Sequence, residues 1–531
     1  MSMSIYEEFL ELVAIDGEER QKLLPEWIKC CNIMGMTEED VRYAVKEWLP
    51  KTQQLEFLGV RKVLGAFTRE CIDHSKLQEY KDNGVKLVYG VLPCQTTTYS
   101  AIKKAGKEKV FVSFPDYNLM AMAQCFFNKG YKFFELAENA GMTYGARHCA
   151  LNKMRVGGRL SGMVPTPDVD WIWGLVCDEA SKIDEYIANM YDSSWKTVTT
   201  RIPHNVVAGV NAAEDVSRVQ FLGKELRRSM NEVEEIIGIK VSDEAMAEAV
   251  GEFNNVLQMS AQLTMLATTA DPQPLTLSTL QLVCGSPATF PMNTGFDYYI
   301  DGMKTLLEET KQAVMEGRGV LPKGAPRVGI YFVPWAIPWV EQLFIDNGVI
   351  LNLSVATTLS PKALAPSNFE DPYEQAAEAW LRNIFTMGCH EEVQDWIEKV
   401  QTYKPEGFIA GFLDYDRWIG ALHKRMARQV EEATGVTSFY LEADFYDGRD
   451  YSAEALRTRV ESICQIIKTK HAKKISLEAA APKKDYSALE AMLPPGVSLA
   501  MIERMLPPGV TLDTLAAMSP EELKAMMPPM N

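Results

Sequence analysis

The stretch "WIWGLVCDEASKIDEYIANMY", residues 171–191, passes from a short apolar run, through a Cys-Asp pair, into a helical pattern. It puts the thiol of Cys177 where a strand gives way to a helix. A helix start favours anionic groups, so the thiolate that metals need is stabilised there. In a parallel sheet flanked by helices, the carboxyl ends of the strands are also where ligands gather. A second cysteine, Cys149, lies 28 residues earlier in "GARHCALNKMRVGG", in a loop with Arg147, His148 and Lys153, neighbours that favour a thiolate. Two loop cysteines of this kind suit a soft metal or an iron–sulfur cluster. A buried structural cysteine is the bland alternative, and these residues alone leave it open. Asp178 and Glu179, in the first turn after Cys177, complement the helix dipole and read as structural. Cys389 in "FTMGCHEEV" reads as a helix start, Cys94 in "VLPCQTTTY" follows a strand, and Cys284 in "LVCGSP" reads as structural.

The elements that must position these thiols alternate. Residues 4–75 carry apolar side chains at helical spacing, with Thr37 before Glu38 and Glu39 as a helix start. "VKLVYGVL", "KVFVSF", "YKFFELA" and "WIWGLVC" read as strands. "PDYNLMAMAQCFFNKG" reads as a helix opened by Pro115 and closed by Gly130. Residues 212–270 are almost wholly helix-forming. A second alternating region starts at Arg327, with strands "RVGIYFVP", "VILNLSV", "GFIAGFL" and "SFYLEAD" separated by helices. The pattern predicts an α/β protein with two doubly wound (Rossmann- or flavodoxin-like) parallel sheets facing a cleft, an N-terminal helical cap and a helical connector. The expected divisions are 1–80 (helical), 81–211 (first α/β domain), 212–320 (connector), 321–468 (second α/β domain) and 469–531. The last part opens with the polar, basic "KTKHAKKISLEAAAPKKDY", read as a linker. "AMLPPGVSL" and "RMLPPGVTL" then follow 13 residues apart in a Met- and Pro-rich tail of short helical turns.

Composition sets the limits. The 531 residues are 47% hydrophobic and 24% charged, with a net charge of −17, ample for several cores and poor for nucleic acid or an anionic membrane surface. The acidic, amphipathic N-terminus lacks the form of a signal peptide. The most apolar long run, "VGIYFVPWAIPWVEQLFI", carries two prolines and a glutamate and is too broken to span a bilayer. A cytoplasmic protein without a membrane span is expected. Ten cysteines without a CxxC pair argue against a disulfide framework there, so any metal ligands must converge from distant parts of the chain.

The order "FPDYNLMAMAQCFFNKGYKFFE", "CALNKMRVGGRLSGMVPTPDVDWIWGLVCDEASK" and "FYLEADFYDGRDYSAEALRTRVESI" resembles the family of 2-hydroxyacyl-CoA dehydratases and benzoyl-CoA reductases, in the manner of the 2-hydroxyglutaryl-CoA dehydratase D-component. The resemblance covers about residues 85–468. It implies an oxygen-sensitive enzyme subunit with a [4Fe–4S] cluster held by cysteines from both α/β domains. It also implies a related iron–sulfur subunit as partner and an ATP-dependent activator that donates one low-potential electron. The implied substrate is a coenzyme A thioester, dehydrated by way of a ketyl radical or reduced at an aromatic ring.

By motif, Cys149 and Cys177 match the first two cluster cysteines. The third position falls in "GFIAGFLDYDRWIG", which carries Asp414 and Asp416 and no cysteine. Carboxylate is a harder ligand than thiolate and less usual on a cluster. Cys389 is the nearest substitute by region, with an inert packed thiol as its alternative. His148 stands as a hydrogen-bond donor to sulfur or a catalytic acid. Arg155 and Arg159, around Gly157 and Gly158, suit a coenzyme A phosphate, or else form a turn with solvated charges. Arg457 and Arg459, two residues apart on a helix, cannot share a face, and one reads as a salt-bridge partner. Three readings are carried forward: a cluster-bearing subunit, a cluster-lacking structural subunit of such a complex, and a non-redox two-lobed binding protein.

Overall fold

The structure is a computed structural model that describes residues 3–91, 96–143, 148–173, 177–203, 214–285, 293–332, 337–355, 364–382, 386–412, 417–444, 446–449, 452–480 and 515. The chain forms two compact units, Met1–Lys468 and Thr469–Asn531.

The first unit holds two four-stranded parallel sheets. Strands β1 (Lys86–Gly90), β2 (Val110–Ser113), β3 (Val169–Trp173) and β4 (Thr197–Thr200) lie in the order β2-β1-β3-β4. Strands β5 (Arg327–Ile330), β6 (Ile350–Leu353), β7 (Gly407–Phe412) and β8 (Thr437–Glu442) lie in the order β6-β5-β7-β8. The two orders are the same, and both match the flavodoxin-like winding. β2, β3 and β6 are buried throughout, as expected of strands covered on both faces by helices. This is the expected α/β architecture.

Local chemistry explains the helices. Thr37 caps the helix Glu38–Tyr43, its hydroxyl accepting from the Asp40 amide at 3.2 Å. The helix-forming stretch begun at 212 holds two long helices, Val216–Ile237 and Asp243–Thr269, capped by Asp215 and Ser242. The N-terminal helices bury Phe9 and Trp27 in a stack at 4.4 Å between ring centroids.

Several expectations are corrected. "YKFFELA" is not a strand: it belongs to the helix Tyr131–Asn139, because Phe133, Phe134 and Ala137 share one buried helical face. The segment after Pro115 is an α-turn (Pro115–Leu119) that widens into π-turns over Met120–Phe126. It ends before Gly130, and Asn128 makes the positive-φ turn. β4 was missed because "TVTT" is short and alternates exposed with buried positions. Residues 469–480, expected as linker, continue the helix Ala453–Ala480, in keeping with their Lys, Ala, Leu and Glu content. The Pro-Pro-Gly repeats lie outside the described residues.

The outer edge of β2 is closed by a side chain. Asn293 accepts from the Val112 amide at 3.0 Å and donates to the Val112 carbonyl at 2.5 Å, as a neighbouring strand would. The fully buried Glu70 holds Asn293 there, accepting from its amide at 3.1 Å and from the Thr294 hydroxyl at 2.9 Å.

Candidate functional site

β1 and β3 lie side by side, yet the chain leaves them in opposite directions across the sheet, which makes the gap beyond their carboxyl ends the switch point where ligands settle. Cys177 follows β3 at this point. It is the N-cap of the helix Asp178–Met190, its sulfur accepting from the Ala180 amide at 3.5 Å. The strand-to-helix reading of this stretch holds. Cys149 is likewise the N-cap of the helix Ala150–Leu160. Both thiols are half-buried and packed against the main core. By contrast, Cys30, Cys31, Cys71, Cys284 and Cys464 are sealed in the interior. Burial pushes Cys30, Cys284 and Cys464 up to about 12, and Cys31 and Cys71 well above the ordinary thiol range. Those five are inert packing residues, as expected for Cys284.

The two helix starts are tied together. The His148 ring donates from Nδ1 to Glu179 Oε2 at 3.1 Å. Asn152 Nδ2 donates to the Glu179 carboxylate at 3.2 Å and to its carbonyl at 3.1 Å. Sequence reasoning assigned Glu179 to the helix dipole alone, since its partners lie about 30 residues away and carry no local signal.

Beneath the thiols, Arg155 is fully buried. Its guanidinium donates to Asp184 at 2.8 Å and to the Gly90 carbonyl at 3.0 Å, pairs with Asp170, and reaches Asp116 at 3.5 Å. Trp195 Nε1 also donates to Asp170, at 2.9 Å. Burial alone would lower the guanidinium pKa, but the three carboxylates more than reverse this and raise it. Burial pushes Asp116 up to about 6 and Asp184 well above the carboxylate range, against the pull of Arg155. The expectation that Arg155 meets a coenzyme A phosphate is therefore corrected: "RVGGRL" is neither a phosphate loop nor a solvated turn but a helix, and Arg155 is its buried anchor. Gly157 lets that helix approach closely, since a Cβ there would sit 2.1 Å from the Phe133 carbonyl oxygen. Arg159 is partly exposed and pairs with Asp192 at 2.9 Å.

The acidic-aromatic segment after β8 packs against the helices Tyr131–Asn139 and Ala150–Leu160. Lys153 and Arg449 both bind Glu138 at 2.8 Å, and Arg449 binds Asp447 at 2.7 Å. Asp444 accepts from the amides of Tyr446 and Asp447 at 2.9 and 3.1 Å. Tyr446 is buried among groups that include Tyr117, Cys125 and Cys149, and burial raises its hydroxyl pKa. Sequence reasoning missed Glu138, Asp447 and Arg449 as a network; the nearest signal was the quoted segment itself.

Cys389 opens the helix Cys389–Tyr403 in the second sheet and is exposed. Cys94, Arg147, Asp414 and Asp416 lie outside the described residues. Trp171 and Trp173 are core residues, and Arg457 makes a long pair with Glu454 at 3.9 Å. Among the described residues, no group of three or more His, Cys, Asp or Glu side chains is poised around a metal, and no helix is long and apolar enough to cross a membrane.

Two like-ordered parallel sheets with half-buried thiols at one switch point define a doubly wound α/β protein with a candidate ligand site at that point. The sequence matches the family described as 2-hydroxyglutaryl-CoA dehydratase, D-component, over residues 114–467, more than half of the chain, and the protein belongs to that family. No curated protein matches the chain significantly.

Proposed function

We propose that this chain is the metal-cluster subunit of an oxygen-sensitive acyl-CoA dehydratase or reductase. It would act with a related subunit and an ATP-dependent electron donor in the cytoplasm. The observation that carries this reading is the pair Cys149 and Cys177. Both cap helices at the switch point of one sheet and are linked through Glu179, while five other thiols are sealed in the core. The donor set suits iron: thiolates at helix starts are the usual ligands of iron–sulfur clusters. When bound, a [4Fe–4S] cluster would supply one electron at low potential to the thioester. The residues here would do the rest. Cys149 and Cys177 hold the group, Arg155 and its aspartates fix the two helices beneath it, and His148, held by Glu179, stands beside Cys149 as a donor for protonation. Arg159 is left as the arginine of "RVGGRL" with exposure enough to meet a phosphate. The division of the chain into helical cap, first α/β domain, connector, second α/β domain and tail belongs to this reading, with the cleft between the α/β domains as the substrate's place.

The third ligand would come from the second sheet. The helix that opens at Cys389 precedes β7 as the Cys149 helix precedes β3, so Cys389 occupies the position equivalent to Cys149. In sequence, Asp414 and Asp416 stand between β7 and the helix that follows it, as Cys177 stands between β3 and its helix. Aspartates at that point favour a second reading, a subunit that lacks the cluster and supports a partner. Iron and sulfide analysis of anaerobically purified and reconstituted protein decides between the two. About four iron per chain, as such a cluster requires, supports the first, and colourless, iron-free protein supports the second.

A further inference from the structure

We infer that Glu179 is a positioning residue that holds the two thiol-bearing helix starts in register, so that Cys149 and Cys177 address a single metal group; the inference rests on the proposed function. Three hydrogen bonds converge on this one residue from the opposite helix. His148 immediately precedes Cys149, Asn152 is one turn beyond it, and Glu179 itself stands two residues after Cys177. The clamp therefore straddles both sulfurs. One carboxylate oxygen, Oε2, accepts from both His148 and Asn152, and the backbone carbonyl accepts from Asn152 a second time.

A carboxylate in the first turn of a helix needs no such partners to be favourable, because the dipole alone suffices. Here it is committed across helices. The second tie between the same helices, Arg155 to Asp184, lies deeper and is fully buried. That inner tie holds the packing of the helices when the outer one is removed. Glu179 itself is only half-buried. The division of labour follows: the inner tie serves the fold, and the outer tie sets the spacing and aim of the sulfurs. Outer partners of this kind around metal ligands change affinity by roughly 10–100-fold when removed.

The test uses full-length protein prepared without oxygen as wild type, Glu179→Ala, Glu179→Gln and Asn152→Ala. Three measurements are made: thermal midpoint of the metal-free protein, iron retained under a chelator challenge, and cadmium binding to the metal-free protein read by thiolate charge-transfer absorbance. Cadmium reports the geometry of the thiols with no redox chemistry. Glu179→Ala is expected to lose iron and cadmium at least about tenfold more readily than wild type, with a thermal midpoint within a few degrees. Glu179→Gln, which keeps an acceptor oxygen, recovers most of the loss, and Asn152→Ala falls between. Wild-type retention of both metals in Glu179→Ala overturns the inference and leaves the proposed function standing. A wild-type protein that binds neither metal overturns both. A wild type that binds cadmium but no iron, with Glu179→Ala weakened for cadmium, supports the clamp and removes the cluster. A large fall in the midpoint of Glu179→Ala that Glu179→Gln does not repair assigns Glu179 to the fold and overturns the inference.

Discussion

The two sheets share one strand order and differ at their switch points. In the first, a single arginine on the helix before β3 joins β1, β3, the helix after β3 and the turn after β2 through buried charge. In the second, the corresponding helix offers Glu392, which accepts from the Tyr331 hydroxyl just after β5 at 2.6 Å, and a buried pair, Lys399 with Asp395 at 2.6 Å, confined to that one helix. Among the described residues, the first switch point is thus cross-braced by four buried ions from four elements and a backbone carbonyl from a fifth, and the second carries a hydroxyl bond between elements. Rigid bracing sits under the two half-buried thiols. The lesson is that equal topology does not mean equal bracing: the halves have the same frame, and among the described residues the buried network that joins several elements lies in the first.

The comparison can be broken first at Arg155. Arg155→Met leaves three buried aspartates without their cation, and chemical denaturation should show a loss of about 3–5 kcal/mol. Lys399→Met strands one carboxylate at the end of a local pair and should cost clearly less. Equal losses would erase the distinction drawn between the two halves.

The thiols come next. Cys177→Ser should abolish or greatly weaken iron binding while barely shifting the thermal midpoint, because the side chain caps a helix at a half-exposed loop. Cys71→Ser should do the opposite, placing a hydroxyl in a sealed apolar site at a cost of roughly 1–3 kcal/mol and leaving iron content alone. Full iron with a lowered midpoint in Cys177→Ser would mean that the strand-to-helix cysteine is only packing.

A pH series sharpens the same contrast. The Asp116 carboxyl titrates at about 6 in the folded protein and at about 4 when unfolded. The folded state therefore holds the extra proton between these values. This contribution to stability is complete below about pH 4 and is lost as pH rises through about 6. Asp116→Asn should flatten the stability profile in that window. An unchanged slope in the variant would show that the proton resides elsewhere in the cluster.

The smallest effect is a gain. Asp416→Cys puts a thiol directly before the helix Arg417–Thr434 in sequence, as Cys177 directly precedes the helix Asp178–Met190, and should raise iron retention under chelator challenge modestly. No gain there, with a loss in Cys389→Ser, would assign the second sheet's ligand to Cys389 alone.

Much of the frame was legible in the sequence, because seven of the eight described strands are apolar runs bounded by turns, and the helix starts at Cys177 and Cys389 carry local signals. "YKFFELA" was misread because two adjacent phenylalanines fit either period, and only the buried face at 133, 134 and 137 decides it. The site was less legible. Arg155 looked like a phosphate ligand because its glycine neighbours imitate a loop, and its carboxylate partners are spread from residue 116 to residue 184. Glu179 had a sufficient local explanation, so nothing in the stretch asked for a distant one.

The side chain of Asn293 on the edge of β2 has a consequence for the life of the chain before and after folding. An open parallel edge is a template for strand recruitment and invites pairing between copies of the chain through the wrong surface. By occupying the amide and carbonyl of Val112, Asn293 removes the central rung of that template without adding a strand, and Glu70 keeps it from swinging away. Solubility at high concentration is then the property this residue guards. Asn293→Ala should reveal itself as sheet-rich aggregate on concentration or mild heating, seen by light scattering.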